Sequence, residues 1–242
     1  MEKELDFGRT VQMSMMPLTF PAFPKRKEID IYAALYPAKE LGGDFFDFFF
    51  IGKNKLCFAI GDVSDKGVPA ALQMAVTKTL INSKALSTMS AGKIITEVND
   101  KLSENNESCM LVTLFLGILD TDTGDLVYTN AGHNPPYLRR DDGNLERLDT
   151  RHGPVIGAMP DLTYKESQLR GDIVLTYTDG VTEAMDPDGN LFSEERLKKV
   201  LHNGNGQVTL GKLVKSLVSE VKDFEKGADQ ADDITVLSVQ ML

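Results

Sequence analysis

Five aspartates at the ends of apolar runs are the residues of this sequence best suited to chemistry. Asp62 follows Leu56 to Ile60, which reads as a buried strand, and Ser64, Asp65 and Gly67 supply turn chemistry directly after it. Asp44 ends Glu40-Leu-Gly-Gly-Asp44 and opens the apolar segment that runs to Ile51. Asp179 closes Asp172-Ile-Val-Leu-Thr-Tyr-Thr-Asp179, and Asp232 with Asp233 starts the last apolar run, to Val239. Four such sites, far apart in sequence, would repel one another if they converged. A hard divalent cation with oxygen ligands is the usual remedy.

The surrounding elements must bring them together. Residues 44–51 and 55–60, joined by Gly52-Lys53-Asn54, read as a hairpin that places Asp44 and Asp62 at the same end. A first strand is expected over 28–36, a central one over 110–119, a hairpin strand over 125–130, short strands at 137–139 and 145–148, and an edge strand over 164–169. Ala131-Gly-His-Asn-Pro-Pro136 reads as a rigid turn in which His133 and Asn134 shape the chain. Helices are expected over 69–85, 91–104, 193–201 (capped by Ser193) and 210–224. Asp65 and Lys66 read as solvated loop residues, the alternative for Asp65 being a cap on the next helix. Strands outnumber helices and the helices gather in pairs. The fold class is therefore α+β, a β-sandwich of two mostly antiparallel sheets flanked by helix pairs.

A further helix over 2–16 carries Leu5, Val11, Met15 and Met16 and stops at Pro17. It reads either as a helix simply packed on its own domain or as a regulatory or linker helix coupling an upstream sensor or a dimer partner to the remainder, 17–242. The net charge of -10 argues against nucleic acid as a partner, and no apolar run is long enough to span a membrane. Met1-Glu-Lys-Glu-Leu-Asp6 is charged from the outset, so the expected compartment is the cytoplasm. Cys57 and Cys109 are read as reduced core residues in strands.

Taken in order, Glu40-Leu-Gly-Gly-Asp-Phe-Phe-Asp47, Gly61-Asp-Val-Ser-Asp-Lys-Gly67, Asn130-Ala-Gly-His-Asn-Pro-Pro136, Tyr177-Thr-Asp-Gly-Val-Thr-Glu-Ala184 and Asp232-Asp-Ile-Thr235 resemble the bacterial metal-dependent protein phosphatases. These are the protein phosphatase 2C-like enzymes of the sporulation protein E and sigma-B regulator type. The resemblance implies hydrolysis of phosphoserine or phosphothreonine with two Mn2+ or Mg2+ ions. It implies that Asp62 bridges both ions with the carbonyl of Val63 beside it, that Asp44 holds one, and that Asp179 and Asp232 hold the other. Asp233 then substitutes for Asp232 or stands behind it. Glu183, close to Asp179 in sequence, reads either as standing behind it or as a solvated loop residue. Two cations roughly 3.5 to 4 Å apart activate a water and neutralise phosphoryl oxygens, so no protein nucleophile is needed.

Two positions depart from the eukaryotic relatives. Ser64 stands where they carry a histidine proposed as general acid, and Lys39 where they carry a phosphate-contacting arginine; a lysine serves there as a point charge. The implied substrate is a phosphorylated anti-anti-sigma-like (STAS) protein in a partner-switching pathway. The competing expectation is a non-catalytic module that keeps the fold and docks the phosphoprotein.

Overall fold

A computed structural model describes residues 2–104, 106–140, 142–171, 173–203 and 209–242. Asp141 and Asp172, at the edges of expected elements, lie outside them. Among these described residues, ten strands form two sheets. In the first, β1 (Ile29–Tyr36), β10 (Ile234–Met241), β9 (Ile173–Tyr177), β6 (Tyr137–Arg139) and β7 (Leu145–Arg147) pair in that order. In the second the order is β2 (Phe45–Ile51), β3 (Lys55–Val63), β4 (Val112–Asp120), β5 (Asp125–Ala131) and β8 (Ser167–Arg170). All strand pairs are antiparallel.

Period-two patterning explains how the layers stack. In β1, Ile29, Ile31 and Ala33 enter the core between the sheets, while Tyr32 and Ala34 face a second cluster. Likewise Leu237 and Val239 of β10 face inward, whereas Ile234 and Val236 meet the second cluster. That second cluster is covered by α5 (Ser193–Asn203) and α6 (Leu210–Glu225), which contribute Leu197, Leu201, Leu213, Leu217 and Val221. Strand β3 is buried without interruption from Leu56 to Gly61 because both of its faces are covered. Its outer cover is α2 (Val68–Ala85), whose buried Ala70, Met74, Thr77, Ile81 and Ala85 follow helical spacing, while α3 (Ala91–Ser103) packs beside it over β4 and β5. Ser90 caps α3 by accepting from the Lys93 N–H. The architecture is an α+β sandwich.

The hairpin forms as the spacing requires: Phe45 pairs with Gly61 and Ile51 with Lys55. Other expectations change. The edge strand is confined to β8, and Tyr164 is instead a buried core residue. Cys57 is buried as expected, but Cys109 is exposed at φ 52 in the loop before β4. A β4 that starts only at Val112 leaves Cys109 outside the ladder. Ser193 is the first residue of α5 and adopts φ 71 rather than an extended capping conformation. The residue before α2 is Gly67, so Asp65, at φ 68, does not cap it. The first helix, α1, runs Glu2–Ser14 and leaves Phe7, Val11 and Met15 exposed.

Candidate metal centre

The hairpin β2–β3 and the adjoining ends of β9 and β10 converge at one edge of the sandwich. Asp44 precedes β2 and Asp62 lies near the end of β3; because Phe45 and Gly61 are paired, the two aspartates flank one rung. From the other sheet, Asp179 opens α4 (Asp179–Thr182) one residue after Thr178, which follows β9. Asp232 and Asp233 precede β10. Asp44 and Asp233 are buried and form the floor; Asp62, Asp179 and Asp232 are half-buried and form the rim.

The floor is held tightly. The hydroxyl of Thr178 donates to Asp44 Oδ2 at 2.8 Å, and the hydroxyl of Thr235 donates to the same oxygen at 2.5 Å. The Asp233 carboxylate accepts from the N–H of Ala38 at 2.8 Å and from that of Asp44 at 3.4 Å. The loop before Asp44 can come this close only as glycine. A Cβ on Gly42 would lie 1.8 Å from Asp233 Oδ2, and one on Gly43 would lie 2.6 Å from the carbonyl oxygen of Val63. Val63 therefore presents its backbone to this loop. From α1, buried Gln12 donates to the Gly42 carbonyl at 2.7 Å.

Electrostatics show what the cluster lacks. Burial, then Asp179, Asp232 and Asp233, raise Asp62 to about 7. Burial followed by Asp62 and Asp233 pushes Asp44 well above the carboxylate range, against the lowering pull of the two threonines. Burial is also the largest cause of the upward shifts of Asp179 and Asp233; Asp232 and Glu183 add to the first, and Asp232 adds to the second. Glu183 is exposed beside Asp179.

One lysine answers these charges. Lys66 Nζ lies 2.8 Å from Asp232 Oδ2 and donates to the Ala231 carbonyl at 2.6 Å. It is thus not the solvated loop residue its sequence suggests, because the sharp turn at Asp65 and Gly67 brings it across to the start of β10. Sequence reasoning also passed over Thr178, Thr235 and Gln12. Their types carry no charge, and only the fold shows which groups they meet.

Lys39 is exposed and has no ion pair among the described residues. Ser64 is exposed and accepts from the N–H of Leu111 at 2.9 Å. His133 is fully buried; its Nδ1 meets the Thr113 hydroxyl at 2.9 Å, and burial lowers it to about 3, which favours the neutral imidazole.

An all-oxygen donor set with excess negative charge suits a hard divalent cation. Among the described residues, no three His, Cys, Asp or Glu side chains form a ready cage for an ion. Ligation here would combine a few carboxylates with a backbone carbonyl and waters, which is the habit of Mg2+. No helix among the described residues is long and apolar enough to cross a membrane.

The family model of stage II sporulation protein E (SpoIIE) matches residues 52–242. The protein IcfG of Synechocystis is 32% identical over 98% of this chain and 41% of its own length. The phosphoserine phosphatase RsbU of Bacillus subtilis is 27% identical over 98% of this chain and 69% of its own. The chain thus spans less than half of the first of these relatives. Among solved structures, the SiaA-PP2C domain of Pseudomonas aeruginosa superposes with a TM-score of 0.85 at 18% identity, covering 100% of this chain and 97% of that one. The chain belongs to the SpoIIE family and has the PP2C fold.

Proposed function

We propose that the carboxylate cluster binds two divalent cations, Mn2+ or Mg2+, and hydrolyses phosphoserine or phosphothreonine on a small regulatory phosphoprotein. The observation that carries this reading is the convergence of Asp44, Asp62, Asp179, Asp232 and Asp233, with Lys66 as counter-charge. Asp62, central among the others, would touch both ions; Asp44 and the Val63 carbonyl lie on its β2 side, and Asp179, Asp232 and Asp233 on its β10 side. Cations held there lower the pKa of a bound water and neutralise phosphoryl oxygens.

The chain's own residues set the rest. Thr178 and Thr235 orient Asp44 and favour its ionised form against the opposing pull of burial, and the backbone N–H groups of Ala38 and Asp44 do the same for Asp233. Ser64 is tied to the Leu111 backbone, so the leaving serine oxygen takes its proton from solvent.

The substrate proposed from the family resemblance is a phosphorylated anti-anti-sigma-like (STAS) protein. Residues 1–16 are proposed as a regulatory helix, supported by the contact of Gln12 with the loop that carries Asp44. The test is hydrolysis of p-nitrophenyl phosphate and of a phosphoserine protein, with and without Mn2+, by the parent and by Asp62→Asn. Metal-dependent turnover abolished by the substitution is the expected result. A folded parent that binds the phosphoprotein yet turns over neither substrate would instead identify a docking module.

A further inference from the structure

We propose that Lys66 binds the phosphoryl group of the substrate, held at the rim of the carboxylate cluster by Asp232 for that purpose. The proposal rests on the phosphatase reading above and assigns to Lys66 the role that sequence spacing gives to Lys39.

Position comes first. The ammonium sits 2.8 Å from a rim carboxylate and is one-third exposed, so it is reachable from solvent. Its loop is built rather than slack. Ser64 N–H donates to Leu111 O at 2.8 Å, Leu111 N–H returns to Ser64 Oγ at 2.9 Å, and Gly67 N–H reaches Leu41 O at 3.2 Å. On either side of Lys66, Asp65 and Gly67 hold left-handed conformations, φ 68 and 82. A residue with a side chain enters that region only at a cost, and here the cost turns Lys66 back toward β10. Immediately afterwards α2 begins with no side-chain cap and no acidic residue in its first turn, leaving its positive end unanswered.

Charge balance comes second. Five ionised aspartates carry five negative charges and two divalent cations return four. Glu183, which Asp179 feels, deepens the deficit. A phosphomonoester dianion would therefore meet a net negative site. Lys66 supplies part of the missing positive charge, and its field reaches Asp179 and Asp233. A lysine acts on phosphate as a point charge, which suits a residue required to offset charge rather than to fix an angle. Lys39, exposed and without an ion pair among the described residues, has no such placement.

The competing role is that of a strut that merely holds Asp232, and the two make opposite predictions for metal. The experiment titrates Mn2+ into the full chain by calorimetry, then titrates inorganic phosphate into the Mn2+-loaded chain, and measures KM for a phosphoserine protein. The variants are Lys66→Met, Lys66→Arg and Lys39→Met. For Lys66→Met the expected result is phosphate binding about tenfold weaker or worse, KM raised to match, and Mn2+ binding unchanged or tighter, because a competing cation has left Asp232. Lys66→Arg should recover most of the phosphate affinity. Weaker Mn2+ binding with phosphate affinity unchanged would establish the strut and overturn the proposal, as would a loss of phosphate binding confined to Lys39→Met. Should the parent hydrolyse nothing, the phosphatase reading falls, and phosphate binding to the Mn2+-loaded chain still decides for or against Lys66.

Discussion

The carboxamide of Gln12 donates to the carbonyl of Gly42 at 2.7 Å and accepts from its N–H at 3.3 Å, so one side chain of α1 holds both backbone groups of a residue two positions before Asp44. Gln12 is buried, and Gly42 in turn rests against Asp233. Gln12→Ala would leave two buried backbone groups unpaired, at a cost of about 1 to 3 kcal/mol. The expected outcome is a melting temperature lower by several degrees and a higher Mn2+ concentration for half-maximal activity. A drop in melting temperature with an unchanged Mn2+ requirement would mean that α1 is only packed on the domain. Deleting residues 1–16 should likewise change turnover or its control more than folding.

Asp44 draws two hydroxyl hydrogen bonds onto one oxygen, from Thr178 and Thr235, and each threonine comes from a strand end of the opposite sheet. Thr235→Val removes the shorter bond while keeping the volume, and should weaken Mn2+ binding about tenfold at a stability cost of ~1 to 2 kcal/mol. Thr235→Ser keeps the hydroxyl and should restore the metal affinity. Equal Mn2+ affinity in the valine variant, read by calorimetry, would show that Asp44 needs no such support.

What the sequence could say followed from local signals. Asp44 and Asp62 could be placed together because a three-residue turn fixes the register of a hairpin, and the ladder from Phe45–Gly61 to Ile51–Lys55 is that register. The sandwich was legible because strands and helix pairs are counted from periodicity. Lys66 was not, since its partner Asp232 lies 166 positions later and is reached only through the left-handed turn at Asp65 and Gly67. Nor was α4, a single turn whose residues read as turn chemistry. Cys109 was misplaced because it directly precedes the apolar run that starts at Met110, whereas the ladder begins only at Val112.

The raised carboxylates make stability depend on pH. Asp62 titrates near 7 in the folded chain against 3.8 ordinarily, and Asp44, Asp179 and Asp233 shift in the same direction. Between those values the folded chain binds more protons than the unfolded one, so the contribution of these groups to stability is fully present below the ordinary carboxylate range and is lost as pH rises through 7. In chelator, the melting temperature should therefore fall between pH 5 and pH 8. Mn2+ should reverse that trend, because the cation competes with protons for the same oxygens. A chelated chain whose melting temperature rises across this interval would mean that the cluster is less crowded than the structure has it.

The two thiols should separate cleanly. Cys57 is fully buried and its thiol is pushed up by burial and then by Asp47, whereas Cys109 is exposed. Since the thiolate is the reactive form, a maleimide should label one thiol in the native chain and two in denaturant. Labelling that persists in Cys109→Ser under native conditions would contradict the burial of Cys57.

Farther along β2 from the carboxylate cluster, the β2–α2 interface contains an ion pair with little access to water. Asp47 Oδ2 meets the Lys78 ammonium and also accepts from Asn82 Nδ2 at 2.6 Å; the side chains of Asp47 and Lys78 are 9% and 13% exposed. Desolvation offsets most of the attraction within such a pair, but breaking it strands a buried charge. Lys78→Met alone should cost about 3 to 5 kcal/mol in urea unfolding. Asp47→Leu combined with Lys78→Met should recover most of that loss, because the replacement removes both charges and keeps the space filled. If the double variant were as unstable as Lys78→Met, the pair would be stabilising β2 against α2 in its own right, and α2 would be expected to loosen from the strand that leads out of Asp44.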